Sequence, residues 1–196
     1  MKTTTDPDIA LVEEIAHTSV ADCYQCGKCS AGCPQGQKMD RLPSTLIRMV
    51  QYGDVVEASR SAAVWQCVSC LTCSARCPKS VDIAGVLDAL KQISIRRKTV
   101  HANYQRTVAF QKAFLEILRR NGRTNELEMV VLYKTLGFFG DVSTNPLRSI
   151  PSALKDAHLG PAMLLKGKLH VKLGGPLKDK ALVRRIFKKC EKKVES

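Results

Sequence analysis

Eight of the nine cysteines in this 196-residue chain fall in one phrase written twice. The first copy is Cys23-Tyr24-Gln25-Cys26-Gly27-Lys28-Cys29-Ser30-Ala31-Gly32-Cys33-Pro34. The second, 44 positions on, is Cys67-Val68-Ser69-Cys70-Leu71-Thr72-Cys73-Ser74-Ala75-Arg76-Cys77-Pro78. Both read C-x2-C-x2-C-x3-C-P, the spacing of bacterial ferredoxins that hold two clusters. Thiolates at i, i+3 and i+6 reach three irons of one 4Fe–4S cube, and the fourth, turned away by its proline, ligates the other. The expected sets are Cys23, Cys26, Cys29 and Cys77 for a first cluster, and Cys67, Cys70, Cys73 and Cys33 for a second. Thiolate sulfur is the soft ligand that such clusters need, and two neighbouring cubes carry electrons rather than substrates.

Two other uses of eight cysteines compete with this one. A disulfide framework belongs to short secreted chains. The opening Met1-Lys2-Thr3-Thr4-Thr5-Asp6 lacks the apolar core of a secretory signal, so a cytoplasmic protein with free thiols is expected. Structural zinc pairs two C-x2-C knuckles across a longer loop, which a third cysteine three residues on, repeated with Cys-Pro, matches poorly. Gly27 and Gly32 are expected to admit close backbone approach and to aim N–H groups at cluster sulfides, with turn formation at positive φ as the plainer role. Their counterparts are Leu71 and Arg76, so the two clusters should differ in potential.

The elements that would position these cysteines read as helices. Asp6-Pro7 starts a helix with Ile9, Val12, Ile15 and Ala16 on one face. Within the 33 residues between the runs, Leu46, Ile47 and Val50 follow Pro43-Ser44, and Gly53 closes that helix. Asp54 caps another, with Val55, Ala58, Ala62 and Trp65 inward. Hairpin turns between alternating β-branched runs are missing, so the expected fold is all-α, with the clusters between helices. Asp82 opens a further helix carrying Ile83, Val86, Leu87, Leu90 and Ile93 or Ser94, which ends in Arg96-Arg97-Lys98.

Charge divides the chain near residue 100. Residues 1–100 hold 12 Lys/Arg against 10 Asp/Glu, and residues 101–196 hold 19 against 8. The expected domains are 1–100 for the clusters and 101–196 for a basic, helical and partly extended docking region. The second part reads as a helix over 101–121 with Phe110, Phe114, Ile117 and Leu118 inward, then an Asn125/Glu128 capping box for a helix to about Phe139. Short turns at Ile150–Lys155 and Pro161–Lys168 follow, and a basic amphipathic helix from Asp179 to Val194 shows Leu182, Val183, Ile186 and Phe187 on one side. Aromatics are not interleaved with its Lys/Arg, which argues against nucleic acid. Docking onto an acidic partner, or a plain solvated surface, accounts for the charge, and contact with anionic lipid would be peripheral at most. No stretch has the ~18–20 apolar residues of a membrane span.

No other chemistry is legible. Nothing matches a Gly-x-Gly-x-x-Gly phosphate loop, so flavin or nicotinamide binding is not expected. His17, His101, His158 and His170 are scattered, and Cys190 stands alone among lysines. No catalytic residue is expected.

Two such cysteine runs joined by a helical connection resemble the α-helical ferredoxin domain. That domain occurs in iron–sulfur subunits of succinate dehydrogenase, fumarate reductase, anaerobic glycerol-3-phosphate dehydrogenase and heterodisulfide reductase. A short helix running directly into Cys-x-x-Cys-Gly-Lys-Cys-Ser-Ala-Gly-Cys-Pro, in a chain just under 200 residues, is similar to the C subunit of the last. The resemblance is specific over 6–98, and over 101–196 it is one of length and helical content. It implies an iron–sulfur subunit of an oxidoreductase complex. Such a subunit relays single electrons between the flavin-containing A subunit of heterodisulfide reductase and its B subunit, whose CCG-bound clusters act on a disulfide. A free dicluster carrier is the alternative.

Overall fold

Asp6 accepts a hydrogen bond from the Asp8 amide (3.0 Å) and starts α1, Pro7–Ala16, with Pro7 in its first turn. The computed structural model describes residues 6–124, 128–135 and 180–195. It divides into two compact units, Met1–Tyr104 and Gln105–Ser196.

In the first unit, α1 leads to the four-residue α2, Lys28–Ala31, inside the first cysteine run. The helices α3 (Pro43–Gln51), α4 (Val55–Arg60) and α5 (Ala63–Gln66) fill the connection. The second run holds α6, Thr72–Ala75, and is followed by α7, Ile83–Arg96. Among the described residues there is no β-strand, as the missing hairpin signals implied. No described helix is long and apolar enough to cross a membrane.

The long α7 is the spine. Its apolar stripe of Ile83, Val86, Leu87, Leu90 and Ile93 is buried, and α1, α3, α4, α5 and α6 all pack on it. Each such side chain contributes roughly 1.5–3 kcal/mol on leaving water. From α1 come Ile9, Val12 and Ala16, and from α3 come Leu46, Ile47 and Val50, all buried; Ile15 is only half-buried. Gly85 lets α1 end against α7, since a β-carbon there would lie 3.2 Å from the Ala16 carbonyl oxygen. Arg97, just past α7, closes the same pair by donating from Nη1 to Asp8 Oδ2 (2.9 Å). That hydrogen bond, stronger than the opposing desolvation, lowers the pKa of Asp8.

One expected helix is two. Asp54 sits at the start of α4 without a side-chain capping bond, and the chain turns extended at Ser61 before α5. The cause is Asp40, outside both helices. Its Oδ1 accepts from Ser61 Oγ (2.8 Å) and the Ala63 amide (2.7 Å), and its Oδ2 from the Ala62 amide (3.2 Å). Those amides belong to the first turn of α5, so Asp40 caps that helix from elsewhere in the chain. Ala62, expected inward, is half-buried.

Both cysteine runs pass through left-handed backbone at matching positions. Gln25 and Ser69 have φ of 63° and 51°, and Gly27 and Leu71, which start α2 and α6, have 77° and 60°. A β-carbon on Gly27 would meet nothing within 4 Å. Glycine is suited there by conformation, not space, and Leu71 holds the same conformation under strain.

In the second unit α8, Gln105–Asn121, stops at Gly122, whose φ is 74°. Its buried residues are Val108, Ala113 and Ile117. Phe110 and Phe114, expected inward, are 43% and 37% exposed and stack on each other, with Tyr133 edge-on to Phe110. The aromatic pair finds its contacts along the helix surface, while smaller side chains take the tight packing. Residues 128–135 are helical as α9, and Glu128 accepts from Asn121 Nδ2. Asn125, Phe139 and the turns at 150–155 and 161–168 lie outside the described residues. The last helix, α10, is Lys180–Glu195 and packs on α8. Val183 and Phe187 are half-buried, while Leu182 and Ile186 stay more than half exposed.

Two outcomes follow from these local devices. Burial tends to raise the Asp40 carboxyl, and its bonds from Ser61, Ala63 and Ala62 together hold it below the usual range. A depressed carboxyl stabilises the fold above its unfolded pKa, and that stability is lost as pH falls through the folded value. Asp40→Ala should therefore cost about 1 kcal/mol at neutral pH, at the lower end for a cap because the carboxylate is partly solvated. In anaerobic thermal unfolding the gap from wild type should stay constant between pH 7 and 5; a gap that closes in that window would rule out the carboxylate. Replacing Gly27 by Leu should cost about 1–2 kcal/mol. The reciprocal Leu71→Gly should return less, because glycine also gains freedom in the unfolded chain, and a lowered midpoint for Leu71→Gly would refute the strain.

Candidate metal centre

The serine after the third cysteine of each run is a capping group for the next long helix. Ser30 Oγ accepts from the Ser44 amide (3.0 Å) and lies 2.7 Å from Ser44 Oγ, at the first turn of α3. Ser74 Oγ accepts from the Ala84 amide (3.0 Å) and donates to Asp82 Oδ1 (2.6 Å), at the first turn of α7. Asp82 Oδ1 also accepts from the Gly85 amide (3.0 Å). Each cysteine loop is thereby fastened to the hydrophobic bundle beside its third cysteine. Gln51 secures the start of the first run, donating to the carbonyls of Val20 (2.7 Å) and Cys23 (2.9 Å). Sequence reasoning missed Ser30, Ser74 and Gln51. The Cys-Ser dipeptide repeated in both runs was the one available signal.

Helices α2 and α6 pack against each other and bring the runs together. Cys33 lines one cavity with Cys67, Cys70 and Cys73, and its walls include Pro34, Met39, Val68, Leu71 and Ala84. On the first run, Tyr24 lies beside cysteines of both copies. Its phenol is pushed up first by desolvation, then by a hydrogen bond with Cys26 and by the charges of Cys26, Cys77 and Cys23. Cys29 is buried; Cys23, Cys33, Cys67, Cys73 and Cys77 are half-buried. Cys26 and Cys70, the second cysteine of each run, are exposed. Burial pushes the Cys29 and Cys73 thiols up, whereas hydrogen bonding from Thr72 lowers that of Cys70. Cys190, on α10, is exposed and lies in the other unit.

The donor set suits 4Fe–4S clusters. All eight donors are sulfur, three from one run meet the single crossing cysteine of the other, and apolar side chains wall the shared cavity. Cys33, Cys67, Cys70 and Cys73 line a space rather than meet at a point. Among the described residues no three His, Cys, Asp or Glu groups converge as they would on a single ion.

The glycines divide by cause. Gly27 serves through its positive φ. Gly32 has an ordinary φ of −97°, so the turn reading does not hold there. A β-carbon at Gly32 would collide with Arg76 Nη1 and come within 3.0 Å of its Cδ and Cζ. The missing side chain there leaves room for the end of Arg76.

Residues 22–82 match the family described as a 4Fe-4S dicluster domain. The iron–sulfur C subunit of CoB–CoM heterodisulfide reductase from Methanopyrus kandleri is 35% identical over 85 residues, which are 43% of this chain and 44% of that protein. The second C subunit of the same reductase from Methanocaldococcus jannaschii is 30% identical over 121 residues, 61% of this chain and 63% of the relative. The similarity thus spans less than two thirds of either relative. The matched residues 22–82 contain both cysteine runs, so this part of the chain is similar to the iron–sulfur C subunits of heterodisulfide reductase and to a dicluster domain for two 4Fe–4S clusters.

Proposed function

We propose that this chain is the electron-transfer subunit of a heterodisulfide-reductase-type complex in the cytoplasm. It would relay electrons between a flavin-containing protein like the A subunit of heterodisulfide reductase and a disulfide-active, CCG-domain protein like its B subunit. The supporting observation is that Cys33 of the first run lines the same cavity as Cys67, Cys70 and Cys73 of the second. Cross-ligation of that kind holds two clusters side by side, which a relay needs and a single storage site does not. Cys23, Cys26, Cys29 and Cys77 hold the first cluster; Cys67, Cys70, Cys73 and Cys33 hold the second. A bound 4Fe–4S cluster supplies one-electron transfer without proton chemistry.

The chain's own residues set the conditions. Val68 and Leu71, each 59% exposed, flank Cys70, and Tyr24, 57% exposed, flanks Cys26. Each cluster therefore has one cysteine at the surface beside an apolar or aromatic side chain, where a partner would exclude water on docking. Residues 101–196, with their 19 Lys/Arg, serve as a docking region for acidic partner surface.

Anaerobically purified protein should be brown, bleach on reduction and contain about eight irons per chain on this assignment. Two zinc ions in a colourless protein would sink it. Cys33→Ser should alter the spectroscopic signal of the cluster held by residues 67–73 and spare the other; a lesion confined to the cluster at 23–29 would overturn the crossing. Affinity purification from the native host should bring flavin-bearing and CCG-bearing proteins along. Elution as a lone monomer would favour a free dicluster carrier instead.

A further inference from the structure

Gly32 and Arg76 occupy the same place in the two cysteine runs, and in the folded chain they touch each other. Positions related by a repeat meet only at its axis, so this contact marks the axis between α2 and α6. The one side chain present there is that of Arg76. Arginine in both copies would press like charges together, and glycine in both would leave the axis open. Arg76 has its guanidinium against the Gly32 backbone, its Cζ 3.0 Å from where a β-carbon would sit. It forms no ion pair with the carboxylates of the described residues. Among the described residues no carboxylate neutralises its charge. Gly32 precedes Cys33 and Arg76 precedes Cys77, the two cysteines that change sides in the ligation proposed above. Lys28 differs: its counterpart is Thr72, so that cation belongs to one run alone.

We propose that Arg76 is a shared potential-setting residue, a fixed positive charge seated on Gly32 that raises the reduction potential of both clusters. It is a positioning and tuning group, not a ligand. One-electron reduction adds one negative charge to a cluster, and a cation at the axis favours that state on either side. Because Arg76 is exposed, water and salt weaken the effect without removing it. The inference rests on the two-cluster, cross-ligated reading.

Anaerobic redox titration followed by electron paramagnetic resonance, with iron counted on each preparation, tests it on the full-length chain. Arg76→Gln should retain both clusters and lower both midpoints. The reduced-to-oxidised ratio at a fixed potential should fall roughly three- to tenfold, tenfold being about 59 mV for one electron. Arg76→Lys should keep most of the wild-type value, and the gap between wild type and Arg76→Gln should narrow in high salt. Gly32→Ala should lower the midpoints by displacing the guanidinium, and should add nothing in an Arg76→Gln background. Two intact clusters with unchanged midpoints in Arg76→Gln would overturn the proposal, as would a shift in one cluster alone. Should Gly32→Ala fail to load iron, the Gln and Lys variants decide the question. A wild-type protein with fewer than two clusters would overturn the ligation and this inference together, whereas unchanged midpoints leave the ligation standing.

Discussion

The hydrogen bond that each motif serine accepts from a first-turn amide of the long helix beyond it is the joint on which the rest of the domain depends. The helices inside the cysteine runs, α2 and α6, are four residues each, too short to persist alone. Among their residues only Cys29 is buried, so almost no hydrophobic gain holds them in place. What holds them is attachment: Ser30 to the first turn of α3 and Ser74 to the first turn of α7. Those two helices are anchored by Leu46, Ile47 and Val50, and by Leu87, Leu90 and Ile93. The stability of the bundle is thereby lent to loops that must present sulfur at their surface.

The two halves of the site are alike in backbone and different in electrostatics. Positive φ recurs at Gln25 and Ser69 and again at Gly27 and Leu71, so the chain takes one path twice. Side chains then break the symmetry. Lys28 faces Thr72 in the alignment of the runs, so that cation belongs to one half alone. Tyr24 stands where Val68 does, giving one exposed edge a phenol and the other an aliphatic surface with Leu71. In the proposed relay such inequality would give partners a basis for choosing an end, which identical clusters with identical rims would not.

How much of this was legible depended on the range of the interaction concerned. The stripes of α1, α3 and α7 were readable because each helix buries one face against a common core, and Ile9, Leu46 and Leu87 declare it at helical spacing. The all-α fold followed from the same periodicity. The break between α4 and α5 was not readable, because Asp40 makes it from more than 20 positions away. In α8 hydrophobicity itself misled. Phe110 and Phe114 are the most conspicuous apolar residues, yet the tight packing goes to Val108, Ala113 and Ile117. Gly32 invited a conformational explanation that fits Gly27, since a single sequence does not say which neighbour a missing side chain makes room for.

The same design explains why the clusters are both cargo and structure. With little apolar burial of their own, the segments around α2 and α6 owe their final shape to ligation as well as to the serine joints, a local case of metal binding coupled to folding. The bundle of α1, α3, α4 and α7 has its own buried core and does not need that contribution. Loss of clusters should thus loosen the sulfur-bearing rim while the helical platform persists.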